Sequence, residues 1–299
     1  MKVVFGTRGS ALALAQTKHV IARLKACHPD TEAEIAIIKT KGDRLAQAPL
    51  SEIGGLGAFT REIEQALLSG EIDVAVHSLK DLPVEQPEGL RITAIAGRQS
   101  PADVLVSRTG LSLDSLPEGA RVGTSSLRRK VQLLLARPDL CIGELRGNVP
   151  TRMAAAHEGQ FDAVVIALAG LARLGLDHEP GLRELTLSQM LPAPGQGALA
   201  LEIQTGASTL ARLLQPLHDE TAATGVLCER AILKAFGGGC RSPLGAYARC
   251  DGDKVLVEAL AADPENSKQV RIQRDGARDN ALELGLAIGR ELHNGLKAK

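Results

Sequence analysis

Gly70-Glu-Ile-Asp-Val-Ala-Val-His-Ser-Leu-Lys-Asp-Leu82 aligns without gaps to Gly159-Gln-Phe-Asp-Ala-Val-Val-Ile-Ala-Leu-Ala-Gly-Leu171. A second pair of similar segments, Gly6-Thr-Arg-Gly-Ser10 and Gly123-Thr-Ser-Ser126, falls between a predicted strand and a predicted helix in each case. Repeats of this kind are typical of chains that use one structural unit twice. The sequence therefore predicts two related α/β lobes.

The alternation of strand and helix patterns supports this fold class. Short β-branched runs alternate with longer amphipathic patterns over the first two hundred residues, which indicates βαβ units around mainly parallel sheets. The predicted strands cover residues 3–5, 35–39 and 72–77, and the predicted helices cover residues 10–26 and 59–68.

Two segments rich in Pro or Gly, 95–101 and 191–197, are predicted to cross between the lobes. A chain that enters the second lobe and returns leaves a cleft with a two-stranded hinge, which is a favoured ligand site. The pattern then changes, and a small α+β domain is predicted from helices 221–236 and 280–296 with strands near 244–248, 255–261 and 270–274. We expect lobe 1 to comprise residues 1–96 and 197–216, lobe 2 residues 101–191, and the C-terminal domain residues 219–299.

Composition narrows the class of protein. Thirty-five basic and thirty-five acidic residues cancel, so the overall charge favours neither a nucleic-acid nor a membrane-surface partner. Aromatic residues make up only 2% of the chain, too few for platforms that stack nucleic-acid bases. The five cysteines are scattered without a Cys-x-x-Cys pair, which argues against a disulfide framework and a structural zinc site. With no apolar export segment or spanning run, we expect a soluble cytoplasmic protein.

One cysteine differs from the other four in its setting. Cys240 follows Gly237-Gly238-Gly239, and three residues without side chains leave its thiol approachable. This makes Cys240 the first candidate for covalent chemistry. An incidental cysteine in a glycine-rich turn fits the local sequence equally well.

Arginines recur at predicted strand ends and helix starts. A cation at a helix N-terminus opposes the macrodipole at a cost of about 0.3–1 kcal/mol, and a bound anion would reverse that sign. Any one of these residues alone reads as a solvated surface residue, but together they predict a polyanionic ligand bearing carboxylates or phosphates. They are Arg8, Arg128, Arg129, Arg146, Arg152 and Arg173.

Two further segments bear on function. Val76-His-Ser-Leu-Lys-Asp-Leu-Pro83 ends a predicted strand and places Lys80 and Asp81 at the mouth of the predicted cleft. There a carboxylate could hold N–H donors or stabilise a developing cation, although a salt bridge or a helix cap also fits. Residues 51–59 have the composition of a lid and equally that of an ordinary helix-entry loop.

Six segments in order give the chain a family resemblance. They are Gly6-Thr-Arg-Gly-Ser10, the run ending at Pro83, Gly123-Thr-Ser-Ser-Leu-Arg-Arg129, Leu145-Arg-Gly-Asn-Val149, Pro194-Gly-Gln-Gly-Ala198 and Gly238-Gly-Cys-Arg-Ser-Pro-Leu-Gly245. Along essentially its whole length the chain resembles the porphobilinogen deaminases, also called hydroxymethylbilane synthases. The resemblance implies a transferase with two lobes of the type II periplasmic-binding-protein kind and a small α+β C-terminal domain.

The resemblance also implies a reaction. Four porphobilinogen molecules are joined head to tail with loss of ammonia, giving linear hydroxymethylbilane for tetrapyrrole (haem or chlorophyll-type) biosynthesis. A dipyrromethane cofactor, attached by a thioether to the cysteine matching Cys240, primes the chain. The catalytic carboxylate matches Asp81, which would hold pyrrole N–H groups and stabilise the azafulvene cation left after deamination. A thioether is too stable to be remade in every cycle, so Cys240 becomes an anchor rather than a nucleophile that turns over.

Further site residues follow by position from the same resemblance. The resemblance implies a monomer without a metal. It also implies that the arginines bind carboxylates, because every pyrrole carries acetate and propionate arms. Residues implied for the cofactor are Ser78, Lys80, Ser126, Arg128, Arg129, Arg146 and Gln196, and those implied for the substrate are Arg8, Ser10, Phe59, Arg152 and Arg173. Three positions depart from the pattern: Leu56 stands where many members have a lysine, and Arg241 and Ser242 follow Cys240 where others often carry Gln and a small apolar residue.

Two other classes of protein remain open at the level of residues. The two lobes and the arginines would suit a non-enzymatic anion receptor, although Asp81, the third domain with Cys240 and the missing export segment oppose it. Alternatively, His77 could activate Cys240 in a hydrolase or acyltransferase. Nothing in the sequence requires His77 and Cys240 to meet.

Overall fold

The computed structural model describes residues 1–40, 60–239, 242–265 and 268–298. The chain divides into two compact units. Unit 1 comprises Met1–Gln99 and Ala198–Ala223, and unit 2 comprises Ser100–Gly197 and Thr224–Lys299. The chain therefore passes from unit 1 to unit 2 after Gln99, returns after Gly197 and enters unit 2 again after Ala223.

The described residues form thirteen strands and eight α-helices. The strands are β1 (Lys2–Thr7), β2 (Glu32–Ile37), β3 (Val74–Ser78), β4 (Leu90–Arg98), β5 (Asp103–Ser107), β6 (Arg121–Gly123), β7 (Cys141–Gly143), β8 (Ala163–Ala167), β9 (Leu182–Glu184), β10 (Ala198–Gln204), β11 (Leu244–Asp251), β12 (Lys254–Ala262) and β13 (Gln269–Ala277). The helices are α1 (Ala11–Cys27), α2 (Arg61–Ser69), α3 (Leu127–Ala136), α4 (Val149–His157), α5 (Leu168–Arg173), α6 (Ser208–Leu214), α7 (Glu220–Phe236) and α8 (Ala281–Lys297).

Unit 1 is built on a five-stranded sheet in the order β2-β1-β3-β10-β4. Strand β1 is parallel to both of its neighbours, whereas β10, which returns from unit 2, is antiparallel to β3 and β4. Aliphatic side chains of the sheet, among them Val3, Val76 and Leu201, pack with Val20 and Leu24 of α1 in a buried core. Burying each such side chain contributes about 1.5–3 kcal/mol before entropy is counted.

The sheet of unit 2 repeats that arrangement. Its order is β7-β6-β8-β5-β9, with β6 parallel to both neighbours and β5 antiparallel to β8. Strand β3 and the 3₁₀-helix Leu79–Asp81 occupy the same places in the aligned repeat as β8 and the start of α5. The internal repeat predicted from the sequence is therefore confirmed, and so is the two-lobed α/β fold class.

The C-terminal part of unit 2 is a small α+β domain, as predicted. Strands β11, β12 and β13 form an antiparallel meander in that order, and α7 and α8 accompany it. Gly285 and Gly289 let α8 approach α7 closely, because a Cβ at either position would collide with the carbonyl oxygens of Cys228 and Ile232. The division into three domains remains a proposal beside the two units of the structure.

One predicted crossing is shorter than expected. Residues 95–98 belong to β4, which runs on to Arg98 because it stays paired with β10, Ile95 with Ala200 and Arg98 with Ala198. The sequence prediction of a crossing from residue 95 was wrong for those four residues. Helix α2 begins at Arg61, two residues after its predicted start, and ends at Ser69. Its C-cap is Gly70, whose φ of 75° is in the left-handed region that favours glycine.

Candidate functional site

The predicted arginines of unit 2 lie beyond the carboxyl ends of parallel strands. Because β6, β7 and β8 run in one direction, the segments that follow them meet at one edge of the sheet. Strand β5 runs the other way, and its first residue, Asp103, pairs with Ala167, the last residue of β8. Asp103 therefore begins its strand at the edge where Arg128, Arg129 and Arg146 lie.

Arg128 and Arg129 are both held by the carboxylate of Asp103. Nη1 of Arg128 donates to Oδ2 at 2.7 Å, and Nη2 of Arg129 donates to Oδ1 at 2.7 Å. Backbone carbonyls accept further bonds, Leu191 from Nη1 of Arg128 and Val165 from Nη1 of Arg129. Both arginines are 5% exposed and Asp103 is fully buried. Sequence reasoning placed these arginines as ligand contacts but did not foresee Asp103.

The charge of Asp103 is maintained by its partners. Burial alone would raise the pKa of its carboxyl, but the charges and hydrogen bonds of Arg128 and Arg129 outweigh it and hold that pKa well below its usual range. Burial lowers the pKa of Arg128, and Asp103 opposes that shift. Removing one member of such a buried pair typically costs about 3–5 kcal/mol because it leaves an uncompensated charge.

Gln196 connects Asp103 to the segment that begins unit 2. Its Nε2 donates to the carbonyl of Pro101 at 2.6 Å and to Oδ1 of Asp103 at 3.0 Å. Arg173, at the end of α5, donates from Nη2 to the carbonyl of Gly197 at 2.5 Å. Burial lowers the pKa of Arg173 to about 10, so it remains a cation at neutral pH.

The other predicted residues of unit 2 cap or adjoin helices. Ser126 is the N-cap of α3, where its hydroxyl accepts from the backbone N–H of Arg129. Arg146 follows β7 and pairs with the exposed carboxylate of Glu144 at 2.6 Å. Arg152, in the first turn of α4, donates from Nε to the carbonyl of Gly147. Surface pairs of this kind contribute about 0–1 kcal/mol, so the pair of Arg146 with Glu144 adds little to stability.

In unit 1 the predicted catalytic carboxylate lies on an exposed turn. Lys80 and Asp81 form the 3₁₀-helix Leu79–Asp81 directly after β3, and Asp81 is exposed while Leu79 is fully buried beneath it. Ser78, at the end of β3, exchanges hydrogen bonds with the side-chain amide of Gln16 on α1 at 2.8 and 3.3 Å. Gln16 is 3% exposed and was not foreseen from the sequence.

Arg8 and Ser10 lie at the same edge of this sheet. Both follow β1, which is parallel to β3, so they reach the edge that bears Asp81. Ser10 is the N-cap of α1, and its hydroxyl accepts from the backbone N–H of Ala13 at 3.3 Å. Each unit thus carries predicted site residues at one sheet edge.

A buried group of titratable side chains lies next to the turn of Asp81. Nε2 of His77 on β3 lies 3.1 Å from Oε2 of Glu202 on β10, and both side chains are almost fully buried. Oε1 of Glu202 has no hydrogen-bond partner among the described residues, and neither has Oε1 of Glu64 on α2. Because the ring of His77 is engaged with Glu202, the hypothesis that it activates a cysteine loses its support.

The Glu64 carboxyl makes stability depend on pH. Burial raises its pKa above 4.5, and the nearby charge of Glu202 raises it further. A carboxyl with a raised folded-state pKa stabilises the fold fully below its unfolded pKa and loses that contribution as pH rises through the folded value. We therefore expect Glu64→Gln to raise the unfolding midpoint by about 1–4 °C at pH 7 and to make little difference near pH 4.

Thermal unfolding at the two pH values, followed by circular dichroism, checks this expectation. The matched control is Glu71→Gln, which changes an exposed carboxylate just beyond the same helix and should leave the midpoint unchanged at both pH values. An equal gain from Glu64→Gln at pH 4 and pH 7 would contradict the account.

Some predicted residues lie outside the described part of the chain. These are Cys240 with Arg241, and the segment 51–59 with Leu56 and Phe59. Among the described cysteines, Cys228 is fully buried, and burial followed by the charge of Glu229 raises the pKa of its thiol to about 12. Cys27 and Cys141 are exposed. Cys228 is therefore unsuited to covalent chemistry at neutral pH.

Residues 1–40, 60–239, 242–265 and 268–298 contain neither a group of metal-ligating side chains nor a membrane-spanning helix. Within those ranges no three His, Cys, Asp or Glu side chains are grouped so that they could hold a metal ion. No helix in the same ranges is both long and apolar enough to span a bilayer.

The solved structures that this chain matches are distant from it in sequence. The periplasmic VFT2 domain of Bordetella pertussis BvgS is 20% identical, with a TM-score of 0.42 over 73% of this chain and 86% of that one. The probable amino-acid ABC transporter extracellular-binding protein ytmK from Bacillus subtilis is 12% identical, with a TM-score of 0.45 over 73% of this chain and 90% of that one.

Sequence comparison gives a much closer match. The family model described as "Porphobilinogen deaminase, dipyromethane cofactor binding domain" matches residues 3–212, and "Porphobilinogen deaminase, C-terminal domain" matches residues 223–294. The porphobilinogen deaminase of Thermus thermophilus is 47% identical over 291 residues, which are 97% of this chain and 95% of that protein. The chain belongs to the porphobilinogen deaminase family.

Proposed function

We propose that this chain condenses four porphobilinogen molecules head to tail, releases ammonia at each addition and frees linear hydroxymethylbilane for tetrapyrrole biosynthesis by hydrolysis with one water molecule. The observation that carries this proposal is the match of both family models, which together cover most of the chain. The segment with Ser78, Lys80 and Asp81, on which the resemblance rests, lies on an exposed turn at a sheet edge. This is a position that a soluble substrate can reach.

The residues of unit 2 fit a covalently held dipyrromethane with its carboxylate arms. Asp103 neutralises only one of the two positive charges of Arg128 and Arg129. Arg173 adds a further positive charge, and burial alone lowers the pKa of its guanidinium. Such a surplus of positive charge suits a polycarboxylate. We propose that Cys240 anchors the group and that Ser78, Lys80, Ser126, Arg128, Arg129, Arg146 and Gln196 hold it. When bound, the group supplies the pyrrole carbon to which the first substrate is joined.

Asp81 is the proposed catalytic residue. Its carboxylate would accept hydrogen bonds from pyrrole N–H groups and stabilise the cation that forms on the substrate as ammonia leaves. A negative charge fixed where positive charge develops stabilises a transition state more than a ground state. Lys80, its neighbour on the same turn, would bind a carboxylate arm rather than take part in proton transfer.

The remaining predicted residues are assigned to the incoming substrate. Arg8, Arg152 and Arg173 would bind acetate and propionate arms, Ser10 would add a hydroxyl donor, and Phe59 would stack near the pyrroles. Arg8 and Ser10 follow β1 and therefore share a sheet edge with the turn of Asp81. We propose that the protein works as a cytoplasmic monomer and needs no metal ion.

Stoichiometry tests the proposed reaction. Purified protein is incubated with porphobilinogen, and ammonia and hydroxymethylbilane are both quantified after the bound material has reached a steady level. We expect four molecules of ammonia for each molecule of hydroxymethylbilane, with the same rate after treatment with a metal chelator. Porphobilinogen that remains unconsumed, or a ratio near one, would refute the proposal.

A further inference from the structure

We propose that Asp103 is a positioning residue of this enzyme, which orients Arg128 and Arg129 so that together they bind the carboxylate arms of cofactor and growing chain. The inference rests on the proposed function and deepens it, because it adds a residue that itself touches no ligand. It is based on the hydrogen bonds that the buried carboxylate of Asp103 accepts.

The first observation is how the two guanidinium groups share Asp103. Each oxygen of the carboxylate receives one guanidinium, at 2.7 Å in both cases. The hydrogen bonds of Arg128 to Asp103 and to the Leu191 carbonyl both use Nη1. Its Nε and Nη2 accordingly stay available for the two-pronged binding of a further carboxylate. Asp103 thus holds Arg128 by one nitrogen and leaves the opposite edge of the guanidinium for a ligand.

The second observation is that Asp103 balances one of the two positive charges of Arg128 and Arg129. Two arginines about one carboxylate retain a net charge of +1, whereas two guanidinium groups without a buried anion would repel each other. Nε of Arg129 is buried and makes no hydrogen bond with any described residue, so this side chain is fixed by its contacts with Asp103 and Val165. Loss of Asp103 would therefore leave the Arg129 side chain with the Val165 carbonyl as its one hydrogen-bond partner among the described residues.

The third observation is that Asp103 is itself fixed from two directions. Oδ1 also accepts from Gln196, which donates to the Pro101 carbonyl as well. The neighbouring Gly195 donates its N–H to Oε2 of Glu229 at 2.7 Å, and Oε1 of Glu229 accepts from Ala248 on β11 at 2.8 Å. Buried carboxylates thereby connect the sheet of the C-terminal domain to the arginine pair. A carboxylate held this tightly can set the orientation of side chains that bind to it.

Asp103→Asn tests the inference, with Asp139→Asn as its matched control. Asp139 makes two 2.7 Å bonds to Arg137 in the same unit, but it lies on the surface. The readouts are the fraction of chains that carry a covalent adduct by intact mass, the KM for porphobilinogen of loaded protein, and the unfolding midpoint. We expect Asp103→Asn to lower adduct occupancy at least twofold and to raise KM about tenfold or more, whereas Asp139→Asn matches the parent in occupancy and KM.

A double-mutant cycle separates positioning from a general role in folding. If Asp103 acts through Arg129, then Asp103→Asn will lower occupancy and raise KM much less in an Arg129→Gln background than in the parent. Equal effects in the two backgrounds, or normal occupancy and KM in folded Asp103→Asn, would overturn the proposal.

Asp103→Glu covers the case in which Asp103→Asn does not fold. It keeps the charge but displaces it by one methylene, and we expect a folded chain with reduced adduct occupancy and raised KM. Normal loading and KM in Asp103→Glu, or failure of both variants to fold, would count against positioning. Failure of the proposed function itself would look different: the parent protein would carry no adduct and would leave porphobilinogen unconsumed.

Discussion

Asp81→Asn is expected to lower kcat by about a hundredfold to a thousandfold while the protein still folds. The substitution keeps the size of the side chain and removes the charge that would stabilise the cation formed on the substrate. Loss of one electrostatic contact to a developing charge typically costs about 10²–10³ in rate, or about 2.7–4 kcal/mol. Because Asp81 is exposed on a short turn and the core residue there is Leu79, stability should be almost unaffected.

Steady-state kinetics with porphobilinogen and thermal unfolding check this expectation together. Glu71→Gln serves as the matched control, since it neutralises another exposed carboxylate of unit 1 that lies away from the turn of Asp81 in sequence. The control should retain parental kcat and the parental unfolding midpoint. Near-parental turnover by Asp81→Asn would remove Asp81 from the catalytic role.

Local patterns allowed much of the fold to be predicted from the sequence. The repeat around residues 70–82 and 159–171 predicted two similar lobes, and in the structure β3 and β8 hold equivalent places in their sheets. Ser10 and Ser126 lie between strand and helix in sequence, and both are N-caps. These signals depend on periodicity and on residues close in sequence, so they can be read before the fold is known.

The polar contacts around the candidate site could not be read in the same way. Asp103 lies 25 residues from Arg128 and 93 from Gln196, and Gln16 lies 62 residues from Ser78. Such pairs form only when the order and direction of the strands bring them together, and the antiparallel course of β5 brings Asp103 to the arginine edge. A charged residue at the start of a buried strand was the one local signal for Asp103. The same lack of long-range information explains why burial of Arg128 and Arg129 was not foreseen.

Cys240→Ser is expected to abolish covalent loading and, with it, essentially all turnover. The proposal makes this thiol the only point of attachment, and a serine hydroxyl is a much poorer nucleophile than a thiolate. Cys228 cannot substitute for it, because it is buried and its thiol pKa is raised to about 12. Without an anchored primer, porphobilinogen has no chain to extend, so we expect the rate to fall below about one thousandth of the parental value.

A matched control for this variant exists among the exposed cysteines. Cys141→Ser removes a surface thiol of unit 2 at the start of β7 and should keep both the adduct and the activity. Circular dichroism should show that Cys240→Ser and Cys141→Ser are both folded. Loss of the adduct from Cys141→Ser with retention in Cys240→Ser would show that Cys240 is not the attachment point.

Intact mass spectrometry of the purified protein tests the central claim most directly. The account predicts that the native chain exceeds its sequence mass by two linked pyrrole units, that this excess is absent from Cys240→Ser, and that it is present in Cys141→Ser. A native chain of unmodified mass that still converts porphobilinogen to hydroxymethylbilane would contradict it.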